Sequence, residues 1–309
     1  MIELGRGPEF DRIRAIARTL GGRAEGLGDD CAFLPGGWCV STDLAVEDVH
    51  FRRAWLRPEE IGWRAAAGAL SDLAAVGAAA EAVLVALAAP RDATAAWLAD
   101  LMGGVGAVAD SVGAKVVGGD LTGGAALTLA VTVLGRTDRP VRRDGARPGD
   151  RLFVTGSLGG ARAALVSWER GAEPAAGART SFARPEPRVA AGRWLAGLGA
   201  TALIDLSDGL AGDLTHVAAA SRVGARVELE RLPVHPAVAA VAGGEPAVFA
   251  AQGGEDYELL VALPPGVDPG PMGPGGLPLT EIGIVMEPPA VALRLRGVPV
   301  AAAGFDHFR

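Results

Sequence analysis

The sequence predicts a two-domain protein of the α+β class, and three observations carry that expectation. At 309 residues the chain exceeds the size at which a single hydrophobic core usually stops growing. The first part mixes amphipathic helices with short, hairpin-capable strands, whereas the part after residue 150 alternates strand and helix in the manner of an α/β layer. Between them, residues 137–150 break the apolar pattern with Pro140, arginines, Gly145 and Pro148-Gly149. Domains over residues 1–138 and 139–309 are expected.

Phe10, Ile13, Ile16, Ala17 and Leu20 recur at helical spacing between Gly5 and Gly21, and Gly21-Gly22 ends the pattern. Residues 31–34 and 38–42 are apolar runs joined by Pro35-Gly36-Gly37, a hairpin that leaves Asp30 and Asp43 flanking strands. Pro58 with Glu59 and Glu60 opens a helix that Ile61, Ala65, Ala69 and Leu73 carry to Gly77. Asp72 lies near its apolar face, where a lone charge is unfavourable unless a partner or metal meets it. A strand at 82–89, a helix at 93–112 and strands at 114–117 and 127–134 complete the first part. The second reads strand (152–155), glycine turn (156–160), helix, flexible segment (171–179), helix, strand (202–206), helix, strand (225–230). Strands at 257–263, 281–285 and 291–295 follow, the first set off from the others by a Pro/Gly-rich loop at 264–278.

Half of the residues are hydrophobic and 21% are charged, with no block of like charge, which argues against disorder. The net charge is -7, and no stretch concentrates arginine with aromatics, so nucleic acid is not an expected partner. No uncharged run approaches the ~20 residues that span a bilayer, and Met1 to Phe10 lack the apolar core of a secretory signal. Cys31 and Cys39 have neither metal-ligand spacing nor the number of a disulfide framework, so a soluble protein of the reducing cytoplasm is expected. Lys115, the only lysine, is not part of a Gly-Lys-Ser/Thr loop, so any nucleotide is bound in another way.

Chemistry resides in aspartates at the ends of apolar runs or beside glycine: Gly28-Asp29-Asp30, Ser41-Thr42-Asp43, Leu70-Ser71-Asp72, Gly118-Gly119-Asp120 and Asp205-Leu206-Ser207-Asp208-Gly209. One Gly-Asp-Asp alone is usually a solvated turn, and Ser207 or Asp208 alone a helix cap. Five such sites, each read as a short rigid turn, are what holds several hard divalent cations around phosphate oxygens. The pattern points to magnesium-dependent phosphoryl transfer. By residue type alone, His50 reads as a strand or surface histidine and Cys31 as a buried small hydrophobe. The four histidines are too scattered for zinc.

The stretches GLGDDCAFL, STDLAVEDVHF, IGWRAAAGALSDLAAVGA, VVGGDLTGG, RDGARPGDRLFVTGSLG, IDLSDGLAGDL, GGEDYELL and GFDHF, in this order over both halves, resemble the thiamine-monophosphate kinase family of the aminoimidazole ribonucleotide synthetase-like superfamily. The resemblance implies an N-terminal α+β domain that pairs in a homodimer and a C-terminal α/β domain. It implies transfer of the ATP γ-phosphoryl group to thiamine monophosphate, giving thiamine diphosphate and ADP. It also implies that Asp30, Ser41, Thr42, Asp43, Asp72, Asp120, Asp205 and Asp208 serve several Mg²⁺ ions, that Gly119, Arg143 and Ser207 contact the nucleotide, and that His50, Glu255 and Phe305 contact the thiamine phosphate. The residue types suit these roles: Arg143 is a permanent forked cation, Phe305 offers a face to a cationic thiazolium, and Glu255 can balance its charge. No general base is assigned.

Leu121 stands where the family often has threonine, and Tyr257 is the only tyrosine, so no aromatic adenine contact is assigned to a tyrosine. Two alternatives stay open. One is a synthetase of the superfamily acting on an amide or selenide, although Cys31 does not resemble a selenide enzyme's reactive cysteine. The other is a catalytically silent nucleotide- or thiamine-phosphate-binding regulator.

Overall fold

In the computed structural model, residues 7–24, 26–288 and 291–305 are described. The expected helix start at Gly5 and the end of the GFDHF stretch at 306–308 lie outside them. The first part comprises α1 (Pro8–Leu20), β1 (Ala32–Leu34), β2 (Trp38–Val46), α2 (Pro58–Ala75), β3 (Ala79–Ala89), α3 (Ala95–Ser111), β4 (Lys115–Gly123) and β5 (Thr128–Arg136). Its sheet has the order β1-β2-β5-β3-β4, antiparallel except for β3 and β4. Period-two burial in β5 shows one covered face: Leu129, Val131 and Val133 are fully buried, while the residues between them are only partly so. The covered face packs on α2 and α3. These helices cross so closely that a Cβ on Gly62 would come within 1.9 Å of the Leu101 carbonyl oxygen, and one on Gly104 within 1.9 Å of that of Glu59.

The second part comprises β6 (Arg151–Thr155), α4 (Gly160–Glu169), α5 (Ala176–Ala183), α6 (Val189–Gly197), β7 (Ala202–Asp205), α7 (Leu210–Ser221), β8 (Gly224–Glu228), α8 (Val238–Val241), α9 (Pro246–Ala251), β9 (Leu259–Leu263), β10 (Leu279–Met286), β11 (Val291–Leu295) and β12 (Val298–Val300). Helices lie on both faces of its sheet, as the alternation suggests. The strand order β12-β11-β8-β10-β6-β9-β7 is, however, antiparallel at every pairing except β8 with β11. Strand–helix alternation alone does not fix strand direction, because long connections return the chain in either sense.

The central strands feed two cores. Phe153, Leu203 and Val261 join α4, α5, α6 and α2 in a core continuous with the first sheet. Leu152, Val154, Ile204 and Leu260 join α7 and α9 in a second. The helix α2 is consequently buried on nearly all sides and carries polar ties between the halves. Glu60 receives both Arg179 nitrogens at 2.7 and 2.9 Å, and Arg64 Nη1 donates to the Phe182 carbonyl at 2.6 Å. Although burial works against ionisation, Arg179 and the first turn of α2 hold Glu60 down at about 2. Among the described residues no helix is long and apolar enough to cross a membrane.

Three local differences from the sequence reading bear on the site. Ser41-Thr42-Asp43 lies inside β2 rather than at its end, and Gly118-Gly119-Asp120 lies inside β4 rather than on a turn. Strand β9 starts at Leu259 instead of Tyr257, because Glu255 and Tyr257 take left-handed backbone conformations, φ 68° and 50°.

Candidate active site

Three elements from distant parts of the chain deliver carboxylates to one point. Asp30 comes from the loop before β1, Asp72 from α2 and Asp205 from the end of β7; one oxygen of each lies within 4.8 Å of the others. The Ser41 hydroxyl donates to Asp72 Oδ2 at 2.5 Å. Burial and then the charges of Asp43, Asp205 and Asp30 push the Asp72 carboxyl well up, and burial with Asp30 pushes Asp205 up to about 8. Arg143 donates to Asp30 Oδ1 at 2.6 Å and lies 3.6 Å from Asp29 Oδ1, offsetting part of this charge. The second oxygens of Asp29 and Asp30 are buried without a hydrogen-bond partner. Crowded, under-satisfied, hard oxygen donors of this kind fit Mg²⁺.

Asp72 and Asp205 of this cluster, with Asp43, line a cavity of about 560 Å³ whose wall also includes Ser207, Asp208, His50, Glu255 and Phe305. His50 is fixed by accepting the Val46 N–H on Nδ1 at 3.1 Å, and its carbonyl accepts from Arg64 at 3.3 Å. Glu255 is ion-paired with Arg64, a side chain only 4% exposed, so its charge is already matched and is not held in reserve for a thiazolium. Phe305 is 56% exposed; its backbone N–H donates to the Asp208 carbonyl at 2.9 Å, which places it at the cavity rather than in a core. Asp208 adjoins a second group with Asp213 and His216, whose oxygen and nitrogen atoms lie within 4.8 Å of one another.

Some expected site residues are not gathered. Successive residues of β2 face opposite sides, so Ser41 and Asp43 face α2 while the Thr42 hydroxyl meets that of Thr132, 3.0 Å away, on the other face. Within one chain the Thr42 and Asp43 side chains therefore lie on opposite faces of the sheet. Gly119 and Asp120 sit on β4, which β5 and β3 separate from β2, roughly 14 Å at three strand spacings. Gly119 is required by its neighbour strand, since a Cβ there would lie 1.9 Å from the Val85 carbonyl oxygen.

Sequence reasoning missed Asp29, Arg64, Gly68 and Tyr257. Arg64, Gly68 and Asp72 recur every four residues on an otherwise apolar helix, a signal present in the sequence. Asp29 is the first carboxylate of Gly28-Asp29-Asp30, and burial with Asp30 pushes it up to about 6.

The crowding has a measurable sign. In metal-free protein Asp205, at about 8, keeps a proton that an unfolded aspartate, near 4, has released, so stability falls as pH rises through this range. Asp256, whose carboxylate accepts the Gly159 and Ala161 N–H groups at the start of α4 and is also pushed to about 8, adds a metal-independent share. His216, held down to about 4 by burial, acts oppositely below about pH 6.5. Melting curves in EDTA are expected to give a lower Tm at about pH 8 than at about pH 6.5, and Mg²⁺ should narrow the gap. A Tm that rises over this interval would contradict the crowding.

Two sheets joined through α2, with a carboxylate-lined cavity fed by both parts of the chain, define a class of protein. The family models described as AIR synthase related protein, N-terminal domain and C-terminal domain, match residues 28–137 and 147–289. A thiamine-monophosphate kinase of Mycobacterium tuberculosis is 36% identical over 302 residues, 94% of this chain and 88% of that protein. One of Halobacterium salinarum is 41% identical over 255 residues, 82% of this chain and 85% of that protein. The solved structure of AaThiL complexed with AMPPCP and TMP superposes with a TM-score of 0.87 at 32% identity, covering 97% of both chains. The chain belongs to the thiamine-monophosphate kinase family.

Proposed function

We propose that this chain transfers the γ-phosphoryl group of ATP to the phosphate of thiamine monophosphate, yielding thiamine diphosphate and ADP. The observation that carries the reading is the convergence of Asp30, Asp72 and Asp205, the last two of which line a cavity whose wall also includes His50, Glu255 and Phe305. Relatives named for this activity, one of them described with AMPPCP and TMP, support it. Asp30, Asp43, Asp72, Asp205 and Asp208, with Ser41 orienting Asp72, would hold Mg²⁺. When bound, the ions supply neutralisation of phosphate charge during transfer.

The acceptor phosphate needs no general base. Its second pKa is ~6, so near neutral pH it already presents an anionic oxygen. This oxygen bonds to the γ-phosphorus as the bond to the β-phosphate oxygen breaks and ADP departs. The protein's share is then positioning and fixed charge. Arg143, anchored by Asp29 and Asp30, and Ser207 would meet nucleotide phosphates, and His50 and Phe305 the acceptor.

We further infer a homodimer. Among the described residues no helix covers one face of the first sheet, Leu44 on it is 59% exposed, and all nine residues of β4 are exposed. β4 is an edge strand, and beyond Val40 β2 pairs only with β5. Free edges flanking an uncovered face call for a partner sheet. A second copy that pairs β4 of one chain with β2 of the other covers both edges. It also brings the Gly119-Asp120 stretch of one copy beside the carboxylates of the other, which explains why these residues stand apart in one chain. The buried thiols Cys31 and Cys39 suit a reducing cytoplasm.

Purified protein given Mg²⁺, ATP and thiamine monophosphate is expected to form thiamine diphosphate and ADP in equal amounts, and neither when Mg²⁺ is withheld. ADP formed without thiamine diphosphate would assign a different acceptor.

A further inference from the structure

The geometry points to the Tyr257 hydroxyl as a hydrogen-bond donor to the acceptor phosphate, with Gly68 keeping the space it needs. This inference rests on the kinase reading above. Tyr257 leaves the strand pattern through a left-handed backbone, φ 50°, two residues after Glu255 at φ 68°. Non-glycine residues in that region are uncommon, and such outliers cluster at functional sites. Its N–H is tied to the Leu206 carbonyl at 3.0 Å, beside Asp205, which fixes the ring in the cavity wall between the carboxylates and Glu255.

The opposite wall is α2. A Cβ on Gly68 would lie 3.1 Å from the Tyr257 hydroxyl oxygen, 3.3 Å from its Cζ and 3.4 Å from Asp43 Oδ2. The hydroxyl and the Asp43 carboxylate thus flank one point that only a glycine leaves clear. At this end of the cavity Asp43, Asp72, Asp205 and Asp208 only accept hydrogen bonds when ionised. Arg64 is committed to Glu255 and the Phe182 carbonyl. Tyr257 adds a neutral donor, protonated at neutral pH since a phenol ionises near 10. A phosphate bound in this cavity beside Asp43 meets this hydroxyl, and a donor there holds it without altering the charge balance around the carboxylates. No other feature of the tyrosine requires its hydroxyl, since the ring alone would fill the same space.

The test is calorimetric titration of the full-length protein in Mg²⁺ with thiamine monophosphate and, separately, with unphosphorylated thiamine. Tyr257→Phe keeps the ring and removes the hydroxyl. It is expected to weaken thiamine monophosphate binding at least about tenfold, as for a lost bond to a charged group, while changing thiamine binding less than about twofold. In turnover, KM for thiamine monophosphate should rise, while KM for ATP and the Mg²⁺ midpoint stay in place. Gly68→Ala should weaken thiamine monophosphate binding in the wild-type background and have a smaller effect when combined with Tyr257→Phe. If Tyr257→Phe fails to fold, as its Tm will tell, Gly68→Ala alone carries the same comparison. Unchanged thiamine monophosphate affinity, an equal loss for both ligands, or a shifted Mg²⁺ midpoint with unchanged affinity would each overturn the assignment. Wild-type protein that binds thiamine monophosphate but forms no thiamine diphosphate would instead break the kinase reading, leaving the binding comparison decisive for the hydroxyl.

Discussion

Asp72→Asn is expected to lower turnover at least about a hundredfold, the scale on which preorganised electrostatic stabilisation acts, while leaving the metal-free protein as stable as the wild type or more so. The two halves of this expectation have one cause. Asp72 shares its site with Asp43, Asp205 and Asp30, which push its carboxyl well above the ordinary range once burial has raised it. An amide of the same shape still accepts the Ser41 hydroxyl, donates to a neighbouring carboxylate and removes a like charge. Most replacements of partly enclosed, hydrogen-bonded residues destabilise, so a neutral or positive change in Tm is diagnostic. Steady-state rates at saturating Mg²⁺ together with melts in EDTA check both. Retained turnover, or lost turnover explained by unfolding, would contradict the cation-holding role.

Mixing two inactive proteins is expected to restore activity. In the proposed pairing, Asp120→Asn and Asp72→Asn damage the same site from different chains. A mixed dimer then has one site with both aspartates intact and one with neither. Random exchange makes about half the dimers mixed, each with one working site in two, so activity returns to about a quarter of wild type under two-fold symmetry. Each variant alone should stay near background. If both aspartates served the same site within one chain, the mixture would remain inactive, and the roughly 14 Å between β2 and β4 would need another explanation.

The sequence made the carboxylates legible because each sits where an apolar run stops or, for Asp72, where a charge interrupts an apolar helix face. What it did not show is which of them meet. Asp30, Asp72 and Asp205 come together through α2, which packs against both sheets, a long-range fact with no local signature. Thr42 was grouped with Ser41 and Asp43 by adjacency, yet strand alternation sends it to the opposite face. Gly119 carries an expected nucleotide contact, and the pairing of β4 with β3 demands a glycine there as well. Antiparallel pairing in the second sheet was hidden because β6 and β9 are buried on both faces and read as plain apolar runs. Arg64 and Tyr257 were passed over since neither belongs to an aspartate motif, and their importance comes from partners far away in the chain.

In the proposed reaction the convergent carboxylates hold the cations that serve phosphoryl transfer. The most direct test of that role is diffraction from crystals grown with Mn²⁺ in place of Mg²⁺, a non-hydrolysable ATP analogue and thiamine monophosphate, with data collected to reveal manganese by anomalous scattering. Manganese peaks are expected within roughly 2.0–2.3 Å of carboxylate oxygens of Asp30, Asp72 and Asp205, lying between them and the nucleotide phosphates. Nucleotide bound in the cavity with no manganese at these three residues would contradict that role.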